Sequence, residues 1–132
     1  GAALARLPDD TARARVRHVV GEIERVQQCA AALHAGDLDA VGRLFLASHA
    51  SLRDDYEVSC VELDVAVEAS VAAGALGARM TGGGFGGSAI ALVRADDADD
   101  VTAAVTAAFA ARDLREPHCF AVTAGPAAAR DV

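Results

Sequence analysis

Val16, Val19, Ile23, Val26, Ala30 and Leu33 recur at alternating spacings of three and four. That is the period of one helical face, with Arg15, Glu22, Glu24 and Arg25 falling mostly off it. The pattern predicts a first helix with an apolar stripe turned inward. Gly36 is placed to end it and Asp37 to cap a second helix. The second helix carries Leu38, Val41, Leu44, Phe45 and Leu52. The short link between the two predicts an antiparallel pair. Ser59-Cys60-Val61-Glu62 fits a capping box, with Ser59 as N-cap and Glu62 reaching back. A third helix then runs to about Ala73, with Leu63, Val67 and Val71 inward and Gly74 as the stop.

The period then changes. Ala78–Thr81 is a short strand candidate. Ser88–Val93 is a stronger one, apolar on both faces as a central strand is. The glycine-rich stretch between them predicts an antiparallel hairpin. Asp96, Asp97, Asp99 and Asp100 lie where the dipole of a fourth helix favours acids. Its inward positions are Val101, Val105, Ala108 and Phe109. His118–Thr123 reads as a last strand, reached by a right-handed parallel crossover. The sum is one α+β domain over residues 1–132, a small antiparallel or mixed sheet with helices on one face. Three strands make a small sheet, which leaves room for a partner strand from outside the chain.

Composition narrows the function. The 132 residues are 53% hydrophobic and 23% charged, which is globular. The net charge is −7 and the chain has no Lys. An acidic chain without a basic run is unsuited to nucleic acid or to an anionic membrane surface. No stretch has the length of a transmembrane helix, and the start carries no signal-peptide pattern. Cys29, Cys60 and Cys119 are odd in number and widely spaced, with no metal-ligand spacing. They read as reduced thiols packed as small hydrophobes, which points to a cytoplasmic chain.

Two segments carry candidate chemistry. The first is Thr81-Gly82-Gly83-Gly84-Phe85-Gly86-Gly87-Ser88, with five glycines in six positions from Gly82 to Gly87. Fixing so many glycines is entropically costly. A backbone that approaches an anion, with consecutive N–H groups forming a nest, gives a reason; a bare hairpin loop is the other reading. Gly82-x-Gly84-x-x-Gly87 matches the dinucleotide fingerprint by letter, but a strand follows where that motif needs a helix. A Walker A loop is excluded because it needs Lys. Gly84, in mid-loop, is where a β-branched residue would intrude on a phosphate while leaving the core intact. The second segment, Ser48–Ser59, crowds three Ser, a Tyr, a His, an Arg and three acids around a helix end. It reads either as a site wall or as a solvated terminus with weak local ion pairs. His18 and His34 read as surface residues and His49 as a satisfied structural histidine. No nucleophile–base set and no metal-binding set can be assembled.

Together these segments resemble one family. Ser48-His49-x-Ser51-Leu52-Arg53-Asp54-Asp55-Tyr56-Glu57-Val58-Ser59-Cys60-x-Glu62-Leu63-Asp64 and Gly77-x-Arg79-Met80-Thr81-Gly82-Gly83-Gly84-Phe85-Gly86-Gly87 look like the C-terminal part of the galactokinase family of GHMP small-molecule kinases. Arg17-His18-Val19-Val20-x-Glu22 and Phe120-x-Val122 extend the resemblance to about residues 13–124. Val61 stands where the family commonly has Pro, and Ser88 where it commonly has Cys. The resemblance implies a GHMP-kinase C-terminal, ferredoxin-like domain. It implies that the catalytic Asp–Arg pair, the sugar-binding segment and the Ser-rich phosphate loop belong to an N-terminal lobe absent from this chain. The parent reaction is then phosphoryl transfer from ATP, with Mg2+, to the 1-hydroxyl of galactose. On that reading Thr81, Gly82, Gly83, Gly84, Phe85, Gly86 and Gly87 line the phosphate and substrate cleft. The chain holds no catalytic or metal-binding residue of its own, ATP and Mg2+ are gripped mainly by the other lobe, and the isolated chain is inactive and self-associating. A non-catalytic sugar and ATP sensor, or a kinase of a related sugar such as N-acetylgalactosamine, would share these features.

Overall fold

A computed structural model describes residues 9–123 and 125. Helix α1 (Asp10–Ala35) begins at Asp9, whose side chain accepts the Ala12 N–H at 2.7 Å. It ends at Gly36, left-handed at φ 70°, whose N–H closes the last turn. Asp37 caps helix α2 (Leu38–Asp54) through the Ala40 N–H at 2.8 Å. Helix α3 (Val61–Ala72) stops before Gly74, which has positive φ. Strands β1 (Gly77–Thr81) and β2 (Ser88–Leu92) form an antiparallel hairpin with Gly77 opposite Leu92 and Thr81 opposite Ser88. A short 3₁₀ turn at Ala95–Asp97 leads into helix α4 (Ala98–Ala111).

Two apolar clusters hold these elements. Leu52, Leu63 and Met80 join α2, α3 and β1. Val65, Val101, Val105 and Phe109 join α3 to α4. Helix α2 and strand β1 approach each other backbone to backbone. A Cβ placed on Gly42 would stand 2.1 Å from the Leu76 carbonyl oxygen, and one on Gly77 would stand 2.1 Å from the Gly42 oxygen. Helix α2 and strand β1 therefore meet where neither has a side chain, and no other residue pair fits.

Four expectations are corrected. Ser59 is not the N-cap of α3: Cys60 takes that position without a side-chain cap bond. The Ser59 hydroxyl is drawn instead to Asp64, at 2.6 Å. The third strand is not formed. Residues 118–123 carry no ladder, the sheet among the described residues is β1–β2 alone, and no parallel crossover arises. A cleft separates this segment from β2, so it has no strand to pair with. Ser88–Leu92, patterned as a central strand, therefore stands at an edge with Ile90 40% exposed. Finally, the apolar stripe of α1 faces away from α2: Val19, Ile23, Val26 and Leu33 are all exposed, Val26 at 68%. The inward stripe is Ala14, His18, Glu22, Arg25, Cys29 and Ala32. Polar bonding to α2 decided the orientation that periodicity left open.

Gly42→Ala should destabilise the chain by about 2 kcal/mol or more, the cost of overpacking against backbone that cannot yield. That corresponds to roughly 8 °C in melting temperature for a domain of this size. A melting temperature within 2 °C of the parent, by circular dichroism, would show that the two backbones are not in contact. The exposed α1 stripe should make the isolated chain associate at high concentration. Size-exclusion chromatography with light scattering should show dimers or larger species, reduced by Ile23→Glu with Val26→Glu; a monodisperse monomer would contradict this.

Candidate functional site

The glycine loop leaves β1 at Thr81 and re-enters the sheet at Ser88. Gly82, Gly84, Gly86 and Gly87 have positive φ, as does Phe85 at 59°. Gly83, between the first two, does not. The sign of φ therefore alternates from Gly82 to Gly84, as it does in an anion nest, and is positive at every residue from Gly84 to Gly87. Around Gly82, Gly83, Gly86 and Gly87 an added Cβ would meet nothing within 4 Å. Their space is open. Gly84 differs: a Cβ there would lie 2.3 Å from the Val58 carbonyl oxygen and 2.8 Å from the Val58 Cβ. The next N–H, of Phe85, donates to that same carbonyl at 2.8 Å. Gly84 is thus the seat on which the loop rests. Replacing it would lift the loop from Val58, so the expectation of a local effect on phosphate alone is corrected. The Phe85 side chain is 78% exposed at the tip.

Behind the loop, one polar chain holds both its stem and its seat. The Met80 N–H donates to His49 Nδ1 at 3.2 Å. His49 Nε2 donates to Asp64 Oδ1 at 3.1 Å, and Ser59 Oγ donates to the same oxygen at 2.6 Å. Ser59 follows Val58, the seat of Gly84. Because a backbone N–H can only donate, Nδ1 carries no proton and the ring is the neutral Nε2–H tautomer. Burial lowers the His49 pKa, assisted by Arg53 and Arg79 and opposed by Asp64. The imidazole is consumed by structure on both nitrogens, as the sequence suggested.

The Ser48–Ser59 segment is held from α1. His18 is buried, contrary to its reading as a surface residue. Its Nδ1 lies 3.0 Å from Ser51 Oγ, and its ring stacks on Tyr56 at 4.5 Å between centroids. Burial lowers the His18 pKa, with Glu22 opposing and Arg25 assisting. Arg15 bonds to the Asp55 carbonyl and to Glu57, and Arg17 bonds to Asp55. These partners lie about forty positions away in sequence, beyond the reach of a local reading. Glu22 accepts from Arg25 and, at 2.7 Å, from Ser48. Burial would raise its pKa, but these hydrogen bonds and the charges of Arg25 and Arg79 outweigh it, and the pKa is lowered. Among the described residues no buried side-chain polar atom lacks a partner, and no group of three acids, histidines or cysteines is placed to hold a metal ion. No helix there is long and apolar enough to cross a membrane.

The comparisons with known proteins agree in one direction. A sequence profile described as GHMP kinases C terminal matches residues 29–111. The galactokinase of Streptomyces coelicolor is 57% identical over 120 residues, which cover 90% of this chain and 31% of that protein. The galactokinase of Bos taurus is 61% identical over 88 residues, covering 66% of this chain and 22% of that one. Among solved structures, Lactococcus lactis galactokinase complexed with galactose superimposes with a TM-score of 0.78 at 46% identity, over 81% of this chain and 28% of that one. The chain therefore spans about a third or less of the length of these relatives.

The neutral histidines predict an acid-sensitive fold. Both have native pKa values below 6.5, so the unfolded chain binds more protons as pH falls through that value. Stability is full above pH 6.5 and declines on acidification from there, by up to about 1.4 kcal/mol per pH unit for each group. The Glu22 contribution is lost only at lower pH, below about 4.5. Urea midpoints of the parent and of His49→Asn, whose Oδ1 can still accept the Met80 N–H, should diverge at pH 7.5 and converge toward pH 5. Parallel pH profiles would show that His49 is not buried neutral.

Proposed function

The chain belongs to the GHMP kinase family, matching its C-terminal domain, and from that we propose that it works as the C-terminal lobe of a galactokinase. The parent reaction is transfer of the γ-phosphoryl group of ATP, with Mg2+, to the 1-hydroxyl of galactose. The observation that supports this assignment is the glycine loop itself: four of its glycines face open space and are held by no neighbour, while the loop as a whole is anchored at Met80 and Val58. A rigid stem carrying unobstructed N–H groups suits a phosphate oxyanion, because preorganised donors need no rearrangement as charge develops. Phosphoryl transfer depends mainly on such positioning and charge stabilisation.

Thr81, Gly82, Gly83, Gly84, Phe85, Gly86 and Gly87 form the wall this chain contributes to the cleft. Gly83, Gly86 and Gly87 fit the contact with phosphate, since a Cβ at any of them would fill vacant space. Gly84 and Phe85 fix the loop's position, and Thr81 ends the strand that presents it. ATP supplies the transferable phosphoryl group. Mg2+ is assigned to the nucleotide and to the polypeptide that the relatives carry in addition. The catalytic acid–base and sugar-orienting groups are assigned there as well, in the cytoplasm and without nucleic acid or membrane. The chain alone accordingly has no kinase turnover.

The test uses a chimera in which this chain replaces the matching 120 residues of the Streptomyces coelicolor galactokinase. The chimera should phosphorylate galactose, and the isolated chain should not exceed a mock preparation. In the chimera, Gly83→Val should lower kcat/KM at least about tenfold, or about 1.4 kcal/mol of transition-state stabilisation, with melting unchanged. Near-normal kinetics for Gly83→Val would return the loop to a purely structural role.

A further inference from the structure

The glycine loop is supported at its stem and at its seat, and both supports lead to one carboxylate oxygen. At the stem, the Met80 N–H donates to His49 Nδ1 at 3.2 Å. At the seat, the Phe85 N–H donates to the Val58 carbonyl at 2.8 Å. His49 Nε2 donates to Asp64 Oδ1 at 3.1 Å, and Ser59, next in sequence after the seat, donates to the same oxygen at 2.6 Å. Asp64 stands in the first turn of α3, outside both supports.

Each support also has restraints of its own. The stem belongs to the β1–β2 ladder. The Val58 N–H donates to the Leu52 carbonyl at 3.0 Å, and Val58 packs on the cluster of Leu52, Leu63 and Met80. That packing joins seat to stem by apolar contact, which is non-directional. The bonds converging on Asp64 Oδ1 supply the direction. The loop has little slack to absorb an error there. Gly84, left-handed at φ 85°, lies so close to Val58 that a Cβ would stand 2.3 Å from its carbonyl oxygen. A shift of the seat passes straight into the loop backbone.

We propose that Asp64 is a positioning residue for phosphoryl transfer: by accepting from His49 and Ser59 on one oxygen, it fixes seat against stem and so sets how the Gly82–Gly87 backbone faces phosphate. The inference rests on the reading of this loop as a phosphate-facing wall. A misplacement of about 1 Å in such a frame costs on the order of 100-fold in rate. The requirement is for an acceptor at Oδ1 and not for charge. Asn keeps a carbonyl oxygen with two lone pairs and can receive both donors, whereas Ala leaves the imidazole and the hydroxyl without their acceptor.

The test introduces Asp64→Ala, Asp64→Asn, Ser59→Ala and Glu68→Ala into the Streptomyces chimera. Glu68, one turn further along α3, is exposed and pairs with Arg112 at 3.6 Å, so it controls for loss of an acid from this helix. Asp64→Ala should lower kcat at least about tenfold, with KM for ATP and for galactose within about twofold of the parent. Asp64→Asn should recover kcat to within about threefold, Ser59→Ala should fall between the two, and Glu68→Ala should stay within about twofold. In Asp64→Ala the Met80 and Phe85 amides should exchange at least about tenfold faster while those of α4 do not change. Exchange that is unchanged, or faster to the same degree throughout the chain, would overturn the proposal whether or not the chimera is active. An Asp64→Asn chimera as slow as Asp64→Ala would overturn it by making charge the requirement. Local acceleration with kcat unchanged would also overturn it, leaving Asp64 a structural support. Should Asp64→Ala not fold, Ser59→Ala gives both readouts, with faster exchange expected at Phe85. An inactive parent chimera would remove the functional assignment, and exchange alone would then decide whether Asp64 sets the loop.

Discussion

Everything in this domain is referred to one contact, the crossing of α2 over β1 at Gly42 and Gly77. Two backbones meet there with no side chain between them, at a separation that a single methyl group on either would violate. That approach brings His49, two turns further along α2, level with Met80 and allows the imidazole to accept a backbone N–H of the strand. The same ring reaches Asp64 at the start of α3. Three elements are thus registered by one close contact and one neutral side chain. The glycine loop begins two residues after Met80 and inherits its position from this registration.

The glycines of this chain serve opposed purposes. Gly42, Gly77 and Gly84 are compressed, and their missing side chains let backbones approach. Gly82, Gly83, Gly86 and Gly87 are uncompressed, with empty space where a side chain would stand. The first set fixes the frame and the second leaves something out of it. That contrast is why the loop fits a ligand-facing role better than that of an ordinary hairpin turn, whose tip has no need of a buried anchor such as the Phe85 to Val58 hydrogen bond.

Much of this was legible from local signals. Gly36 and Asp37 define a helix stop and start through their own backbone and side-chain bonding, and the structure uses both as expected. The apolar runs on either side of the loop define the hairpin. The failures share a cause, which is competition from residues distant in sequence. Ser59 had the right spacing for a cap, but Asp64 and His49 offered its hydroxyl a better place in a network. The apolar stripe of α1 was correctly located, yet Arg15, Arg17, His18 and Glu22 bind the α2 region and turn it outward. The Gly42–Gly77 crossing left no trace, since a single glycine in a helix marks a close approach only once its partner is known. Of the candidate site, the loop was evident from composition; its seat on Val58 and the division of labour among its glycines were not.

The proposed role of the loop is to present N–H groups to phosphate from a frame held at Met80 and Val58. It is tested most directly by amide chemical shifts of the galactokinase chimera, recorded with and without galactose and a non-hydrolysable ATP analogue. The largest shifts should fall at Gly83, Gly86 and Gly87, with the amides of Gly42, Met80 and Phe85 nearly unmoved because the frame is already formed. Shifts concentrated at Met80 and Phe85 would mean that the frame rearranges on binding. Saturating ligand with no response from Gly83, Gly86 or Gly87 would remove phosphate from this loop altogether.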